Sequence, residues 1–343
     1  MTFKPASLDL LWIGGEGGME EDLVKRQGIP FQSIPAAGLH GVSLRVLPRN
    51  LITLARGYFA SLSILRNFKP DVLFFTGGFV TVPMAFAAER SIPSLMYVPD
   101  IEPGMALKSS ARFADQITLT TEESRKFFDK KSNITVTGYP LRSDLWVWDR
   151  QTAHTHFGIS GKLPVLLVFG GSKGARSINM AVLKRLHILL ERFEVIHLTG
   201  DLDWPVTQAT ITELPPKLTK NYHAMPYLHE MGAALAAADI VVSRAGASTL
   251  GEFPLFGLPA VLIPYPYAWR YQKTNADYLT RRGAAIILDD QFLMDELATT
   301  LNVLIDNPTK LKAMRAAMFQ LSHPRAAEKI ASQLIELAGE KSL

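Results

Sequence analysis

Ser243–Pro266 reads SRAGASTLGEFPLFGLPAVLIPYP. The apolar strand end Ile240–Val242 runs into a turn of small residues, Ala245-Gly-Ala-Ser-Thr249, then into a helix and a second apolar run, Ala260–Ile263. A turn without bulk lets a ligand approach the backbone closely. The helix N-terminus behind it offers unpaired N–H groups and the positive end of a dipole to an anion. The spacing puts one carboxylate, Glu252, about a turn and a half into that helix. A carboxylate repels phosphate, so Glu252 is suited to accept hydrogen bonds from vicinal ribose hydroxyls beside it. Taken alone, the segment is equally an ordinary strand–helix turn with a surface Glu.

Outward from this stretch, apolar runs of strand length alternate with helical segments. Leu8–Ile13, Val72–Phe75, Ser94–Val98, Gln116–Leu119 and Thr135–Thr137 are the expected strands of the first part. Val165–Phe169, Glu194–Leu198, Ile240–Val242, Ala260–Ile263 and Ala285–Leu288 are those of the second. Such alternation implies an α/β fold with parallel sheets covered by helices on both faces. At 343 residues the chain exceeds one ordinary core, so two doubly wound domains facing across a cleft are expected. The turn-rich Gly138-Tyr-Pro-Leu-Arg-Ser-Asp144 marks the boundary: residues 1–144 form one domain and 145–322 the other. The remaining 323–343 has helical apolar spacing at Ile330, Leu334 and Leu337.

Apolar content of 48% and charged content of 20% describe a well-packed chain. The absence of Cys excludes disulfides and thiolate metal sites and fits a reducing cytoplasm. No run approaches the roughly eighteen apolar residues of a membrane span, and the N-terminus lacks the pattern of a signal peptide. Net charge is +4 but unevenly spread. Lys25, Arg26, Arg45, Arg49, Arg56, Arg66 and Lys69 fall between Asp22 and Asp71 with no acid among them. Interleaved with apolar residues, this face is fit to rest on an anionic membrane surface, or to be a packed helix with solvated arginines. No nucleic-acid-binding motif accompanies the charge.

Val165–Phe169 runs directly into Gly170-Gly-Ser-Lys-Gly-Ala-Arg176, ahead of a helix from about Ser177. Glycines permit a tight turn and close phosphate approach, while the amides, the Ser172 hydroxyl and Lys173 face anionic oxygens. Two such turns at the carboxyl edge of one sheet make a diphosphate and ribose site.

GGSKGARSIN, SRAGASTLGE, Gln272-Lys-Thr-Asn-Ala276, GYPLRSD and Thr76-Gly-Gly-Phe-Val80 together resemble the MurG-type glycosyltransferases, in order from about Leu10 to the end. The resemblance implies the GT-B fold: two Rossmann-like domains, a donor site mainly in the C-terminal one, and a last helix that crosses back. It implies inverting transfer of N-acetylglucosamine from UDP-GlcNAc to the undecaprenyl-diphosphate-linked muramyl pentapeptide, lipid I, giving lipid II for peptidoglycan. No cofactor and no protein-built metal site go with it, and the implied place of work is the cytoplasmic face of the plasma membrane. By position, Ser172 would bind the donor diphosphate and Arg142 would contact the donor at the cleft. The backbone at Leu228 would hold the uracil edge. Ala247, Ser248 and Thr249 would cradle phosphate and sugar, with Glu252 on the ribose and Gln272 on GlcNAc hydroxyls. Gly77, Gly78 and Phe79 would form an acceptor-side loop near the lipid diphosphate.

Two departures stand out. The family opens on a strand and a GGTGGH-like loop whose His is the proposed general base. Gly14-Gly-Glu-Gly-Gly18 is not that loop, since no His follows and the residues after it match the family's later register. A first β-α unit, about thirty residues in a typical crossover, is therefore expected to be missing, leaving a gap between paired strands because the first strand of a doubly wound sheet is central. The second departure is Tyr97-Val-Pro-Asp-Ile-Glu-Pro-Gly104, where the family carries a His-Glu-Gln-Asn-like run. Asp100 and Glu102 are the candidate proton acceptors there, with Asp100 as a simple helix cap the competing expectation. His197 and His229 read as structural and His40 as part of an acceptor-side loop. Other readings stay open: a related GT-B transferase with another lipid or small-molecule acceptor, a UDP-GlcNAc 2-epimerase, and a non-catalytic UDP-sugar-binding remnant without a base.

Overall fold

A computed structural model describes residues 8–18, 20–38, 43, 45–88, 91–266 and 271–340. His40 lies outside the described residues. The described residues form twelve strands: β1 (Trp12–Gly15), β2 (Phe31–Ile34), β3 (Leu73–Phe75), β4 (Ser94–Val98), β5 (Gln116–Leu119), β6 (Ile134–Val136), β7 (Val165–Phe169), β8 (Glu194–Leu198), β9 (Tyr222–Met225), β10 (Ile240–Ser243), β11 (Ala260–Leu262) and β12 (Ala285–Ile287). Every pairing is parallel.

The second half is one doubly wound sheet in the order β12-β11-β10-β7-β8-β9. Its central strands are apolar on both faces, as helices on both sides require. Leu167, Val241 and Leu262 pack into one core, while Leu166, Val168, Val242 and Val261 pack into the other. The first half contains the sheet β3-β4-β5-β6 and a separate pair, β1-β2. Among the described residues no strand joins the two, and Trp12 on β1 and Phe74 on β3 are left 41% and 43% exposed.

The first strand differs from its expected span of 8–13. It lies at Trp12–Gly15 and takes in both glycines, because Gly14 and Gly15 pair with Ser33 and Ile34 of β2. The Phe31 ring crosses Gly14 so closely that a Cβ there would stand 2.4 Å from it. β2 and β9 are strands that the apolar runs did not mark.

The four-stranded sheet buries Met96, Val98, Ile117 and Leu119 on one face. Its other face, Leu95 and Tyr97, is covered by Ile330, Leu334 and Leu337 of the helix Ala326–Glu340. The end of the chain therefore packs on the sheet of the first half. Where the chain leaves that sheet, Gly138 holds φ +95°, and a Cβ on it would stand 2.2 Å from the Cβ of His323 on the returning segment. Both the left-handed backbone and the crossing segment demand glycine here. Gly138→Ala is expected to destabilise the protein by about 1–3 kcal/mol, measured by urea unfolding; an unchanged midpoint would show that the crossing tolerates a side chain.

Candidate active site

In the second sheet the chain leaves β7 for β8 on one side, and β10 lies on the other. Ligands of doubly wound sheets bind at such a switch point, beyond the carboxyl ends of the strands. Both small-residue turns open there. β7 leads into Gly170–Ala175 and the helix Arg176–Lys184. Gly171 and Gly174 hold φ of +98° and +76°, and the Gly174 amide closes the turn on the Gly171 carbonyl at 2.9 Å. Ser172 and Lys173 stand exposed at its tip.

β10 leads into a 3-10 turn, Ala247–Leu250, and only then into the short helix Glu252–Phe256. Glu252 is thus the first residue of its helix and not a turn and a half inside one. Gly251, at φ −125° and ψ −48°, breaks the two apart, and Tyr139 packs so tightly on Gly251 that a Cβ would meet it at 2.7 Å. The turns are stapled by a residue that the sequence reading did not single out. Arg244 donates to the Ser177 hydroxyl at 2.8 Å and to Asp290 at 2.5 Å, and Ser177 donates to the same carboxylate at 2.8 Å.

Glu252 is partly buried, and its carboxyl is raised above its ordinary range by desolvation, against the pull of Arg142 and a hydrogen bond with Ser248. Tyr139 beside it is pushed up to about 12, by burial first and then by the charges of Glu252 and Asp100. Arg142 pairs with its neighbour Asp144 at 3.6 Å, both side chains more than half exposed. Gln272 accepts from the backbone N–H of Tyr265 at 2.8 Å, which leaves its amide NH2 to donate. Leu228 follows β9, two strands away from β7, and its side chain packs into the core.

The residues expected on the acceptor side sit at the carboxyl edge of the other sheet. Gly77, Gly78 and Phe79 follow β3, with φ of +113° and +85° at the glycines and Phe79 60% exposed. Asp100 follows β4 and does not cap the next helix, Met105–Ser110, whose N-cap is Gly104. It accepts instead from the amide of Asn275 at 2.8 Å. Asn275 is fully buried and uses its whole side chain: it also donates to the Ala245 carbonyl at 3.1 Å and accepts from the Ile101 N–H at 3.1 Å. One amide thereby joins the loop after β4 to the turn after β10. Desolvation raises Asp100, partly offset by that hydrogen bond. Glu102 is buried and ion-paired to Lys108 at 3.3 Å. Among the described residues no group of three or more His, Asp or Glu is placed to hold a metal ion.

Comparison with known proteins bears on this arrangement. Residues 4–119 match the glycosyltransferase family 28 N-terminal domain and residues 165–330 its C-terminal domain. The UDP-N-acetylglucosamine–N-acetylmuramyl-(pentapeptide) pyrophosphoryl-undecaprenol N-acetylglucosamine transferase of Roseiflexus sp. (strain RS-1) is 39% identical over 94% of this chain and 82% of its own length. The crystal structure of MurG from Acinetobacter baumannii superposes with a TM-score of 0.75 at 25% identity, over 95% of this chain and 90% of that one. A UDP-GlcNAc 2-epimerase from Neisseria meningitidis shares the fold alone, with a TM-score of 0.64 at 14% identity over 96% of this chain and 91% of that one. The chain belongs to the MurG family of glycosyltransferases, with the GT-B architecture of two Rossmann-like domains.

Proposed function

We propose that this chain transfers N-acetylglucosamine, with inversion, from UDP-GlcNAc to the undecaprenyl-diphosphate-linked muramyl pentapeptide. The observation that carries the reading is the pair of small-residue turns at adjacent ends of β7 and β10, with Glu252 beside them. In this reading the amides of Gly171–Ala175 and the Ser172 hydroxyl take the diphosphate, and Ala247–Thr249 closes over phosphate and sugar. Glu252 accepts from the ribose diol, the Leu228 backbone holds the uracil edge, Gln272 donates to sugar hydroxyls, and Arg142 turns from Asp144 to the donor. We divide the chain accordingly at residues 144 and 322.

The acceptor hydroxyl attacks C1 of the sugar, the bond from C1 to the UDP oxygen breaks, and the proton goes to a base. Charge that develops on the diphosphate meets preorganised amides, which is where such sites gain most of their rate. Asp100 is the better base of the two carboxylates, since its carboxyl is raised and faces the cleft while Glu102 is buried against Lys108. Gly77, Gly78 and Phe79, on the same sheet edge as Asp100, receive the lipid diphosphate.

The long helix Leu47–Phe68 fits a membrane surface on the acceptor side. Arg49, Ile52, Arg56 and Phe59 fall on one stripe, and Ile52 and Phe59 are 64% and 67% exposed. The opposite side buries Gly57 and Ser61. No helix of the described residues is long and apolar enough to cross a membrane. Basic and apolar residues alternating on one stripe suit binding in the headgroup plane, at the cytoplasmic leaflet where the lipid-linked acceptor is presented.

Incubation with UDP-GlcNAc and lipid I, with lipid II and UDP as the readout, tests the activity. UDP binding without turnover would make the chain a nucleotide-sugar-binding remnant, and turnover only on another acceptor would make it a related transferase. Asp100→Asn keeps an acceptor for Asn275 and is expected to lower kcat by about 10²-fold or more with UDP affinity unchanged; a wild-type kcat would remove Asp100 as base.

Glu252→Gln is expected to weaken UDP binding by about tenfold or more, measured calorimetrically. The sign of its stability effect is opposite. Because the folded carboxyl is raised, the folded state binds more protons than the unfolded one across that window, and the ionised group costs stability above it. At neutral pH the ligand-free variant should melt higher than wild type, with the gain vanishing below the ordinary carboxylate range. Arg49→Glu with Arg56→Glu should weaken sedimentation with phosphatidylglycerol vesicles by about tenfold or more, and leave turnover of a detergent-dispersed acceptor intact.

A further inference from the structure

Behind the turn Gly170–Ala175 lies a buried polar chain that ligand contacts do not account for. Asn179, fully buried in the helix Arg176–Lys184, donates through Nδ2 to the Thr199 carbonyl at 2.7 Å and to the Asp203 carboxylate at 2.8 Å. Both partners are acceptors, so the amide orientation is fixed and Oδ1 must accept. Its partner is His197 Nε2 at 3.0 Å. His197 therefore carries its proton on Nε2, and Nδ1 accepts from the Tyr222 hydroxyl at 2.8 Å. Burial pushes His197 down to about 3, so the ring stays neutral and the tautomer is set by its two partners. The other Asp203 oxygen accepts from Arg176, the first residue of the helix, at 2.6 Å.

The backbone that this chain grips is interlocked with the turn. A Cβ on Gly174 would stand 2.1 Å from the Thr199 carbonyl oxygen, and one on Gly200 would stand 2.6 Å from the carbonyl oxygen of Lys173. Thr199-Gly200 and Lys173-Gly174 thus lie backbone on backbone, and the Asn179 amide holds the first against the second. The Asn179 N–H also donates to the Ala175 carbonyl at 2.9 Å. Small displacements of Thr199 would be transmitted directly to the amides that face the ligand.

We propose that Asn179, oriented by His197 and Tyr222, is a positioning residue for the anion-binding turn: it aims the amides of Gly171–Ala175 from behind and never touches the ligand. The proposal rests on the reading of that turn as the diphosphate site. Helix packing alone would not need it, since a leucine-sized apolar side chain fills an ordinary buried position without an amide. The tie also differs in kind from the Arg244 staple, which holds the two turns to each other.

The test compares affinities for UDP and for uridine, which lacks the phosphates. Asn179→Ala is expected to weaken UDP about tenfold and Tyr222→Phe about threefold, in line with the worth of one buried hydrogen bond, while uridine binding changes by less than about twofold. Equal losses for UDP and uridine would reduce Asn179 to a structural residue and overturn the proposal, as would unchanged UDP affinity in either variant. Tyr222→Phe removes a single hydroxyl and carries the test if Asn179→Ala does not fold. Failure of the wild-type chain to bind UDP would overturn the diphosphate reading itself, a result distinguishable from failure of the positioning role.

Discussion

The parallel pairing of β10 with β7 is the constraint on which the two small-residue turns depend. Their register sets Ser243 level with Phe169, so the two turns that follow begin at the same height on the sheet. Parallel strands bring equivalent ends together, and a reversal of strand order leaves a crevice between the connections. Neither turn alone is more than a strand–helix connection. Side by side, and fastened by Arg244 to Ser177 and Asp290, they present two sets of amides to one space. Phe169 and Phe253 meet edge to face at 6.1 Å beneath that space and fix the short helix of Glu252 on the sheet.

One helix of the second half reaches the first half at the candidate site. Tyr271–Arg281 carries Gln272 and Asn275, and it is followed by Arg282, which pairs with Glu123 and lies 3.8 Å from the centre of the Tyr278 ring. Asn275 contacts the loop after β4 with the same amide that touches the turn after β10. One side chain therefore bridges the two loops without an intervening element. Desolvation by burial shifts Asp100, Glu252 and Tyr139 toward their neutral forms.

Much of this was legible because central parallel strands are buried on both faces and read as unbroken apolar runs. β4, β5, β7 and β8 fall on the expected spans to the residue. β2 and β9 escaped: FQSI and YHAM are short strands at sheet edges with no apolar run to mark them, although QITL and EVIHL were legible with polar residues of their own. Turn chemistry disclosed both glycine-rich connections, but not the break at Gly251, which depends on Tyr139 arriving from the chain crossing. Asp100 looked like a cap because capping is a local rule, whereas its partner is 175 positions away. Asn179 and Arg244 lay within motifs already singled out, yet their tasks follow from partners on other strands, which spacing does not reveal.

Burial treats polar groups differently in the two places where it matters most. The chain Tyr222–His197–Asn179–Asp203–Arg176 is closed: each donor in it meets an acceptor, and the one ionic pair reaches solvent through Arg176, whose side chain is 75% exposed. A satisfied network of that kind rigidifies its surroundings at little net cost. The cleft is open: Glu252 and Asp100 are partly buried, and desolvation raises both carboxyls against one hydrogen bond each, from Ser248 and from Asn275. A carboxyl raised by desolvation takes up a proton more readily than one in water, so this edge of the cleft favours the neutral form. The closed network is rigid because its own groups are mutually satisfied, whereas the two carboxylates of the cleft keep an exposed share of surface.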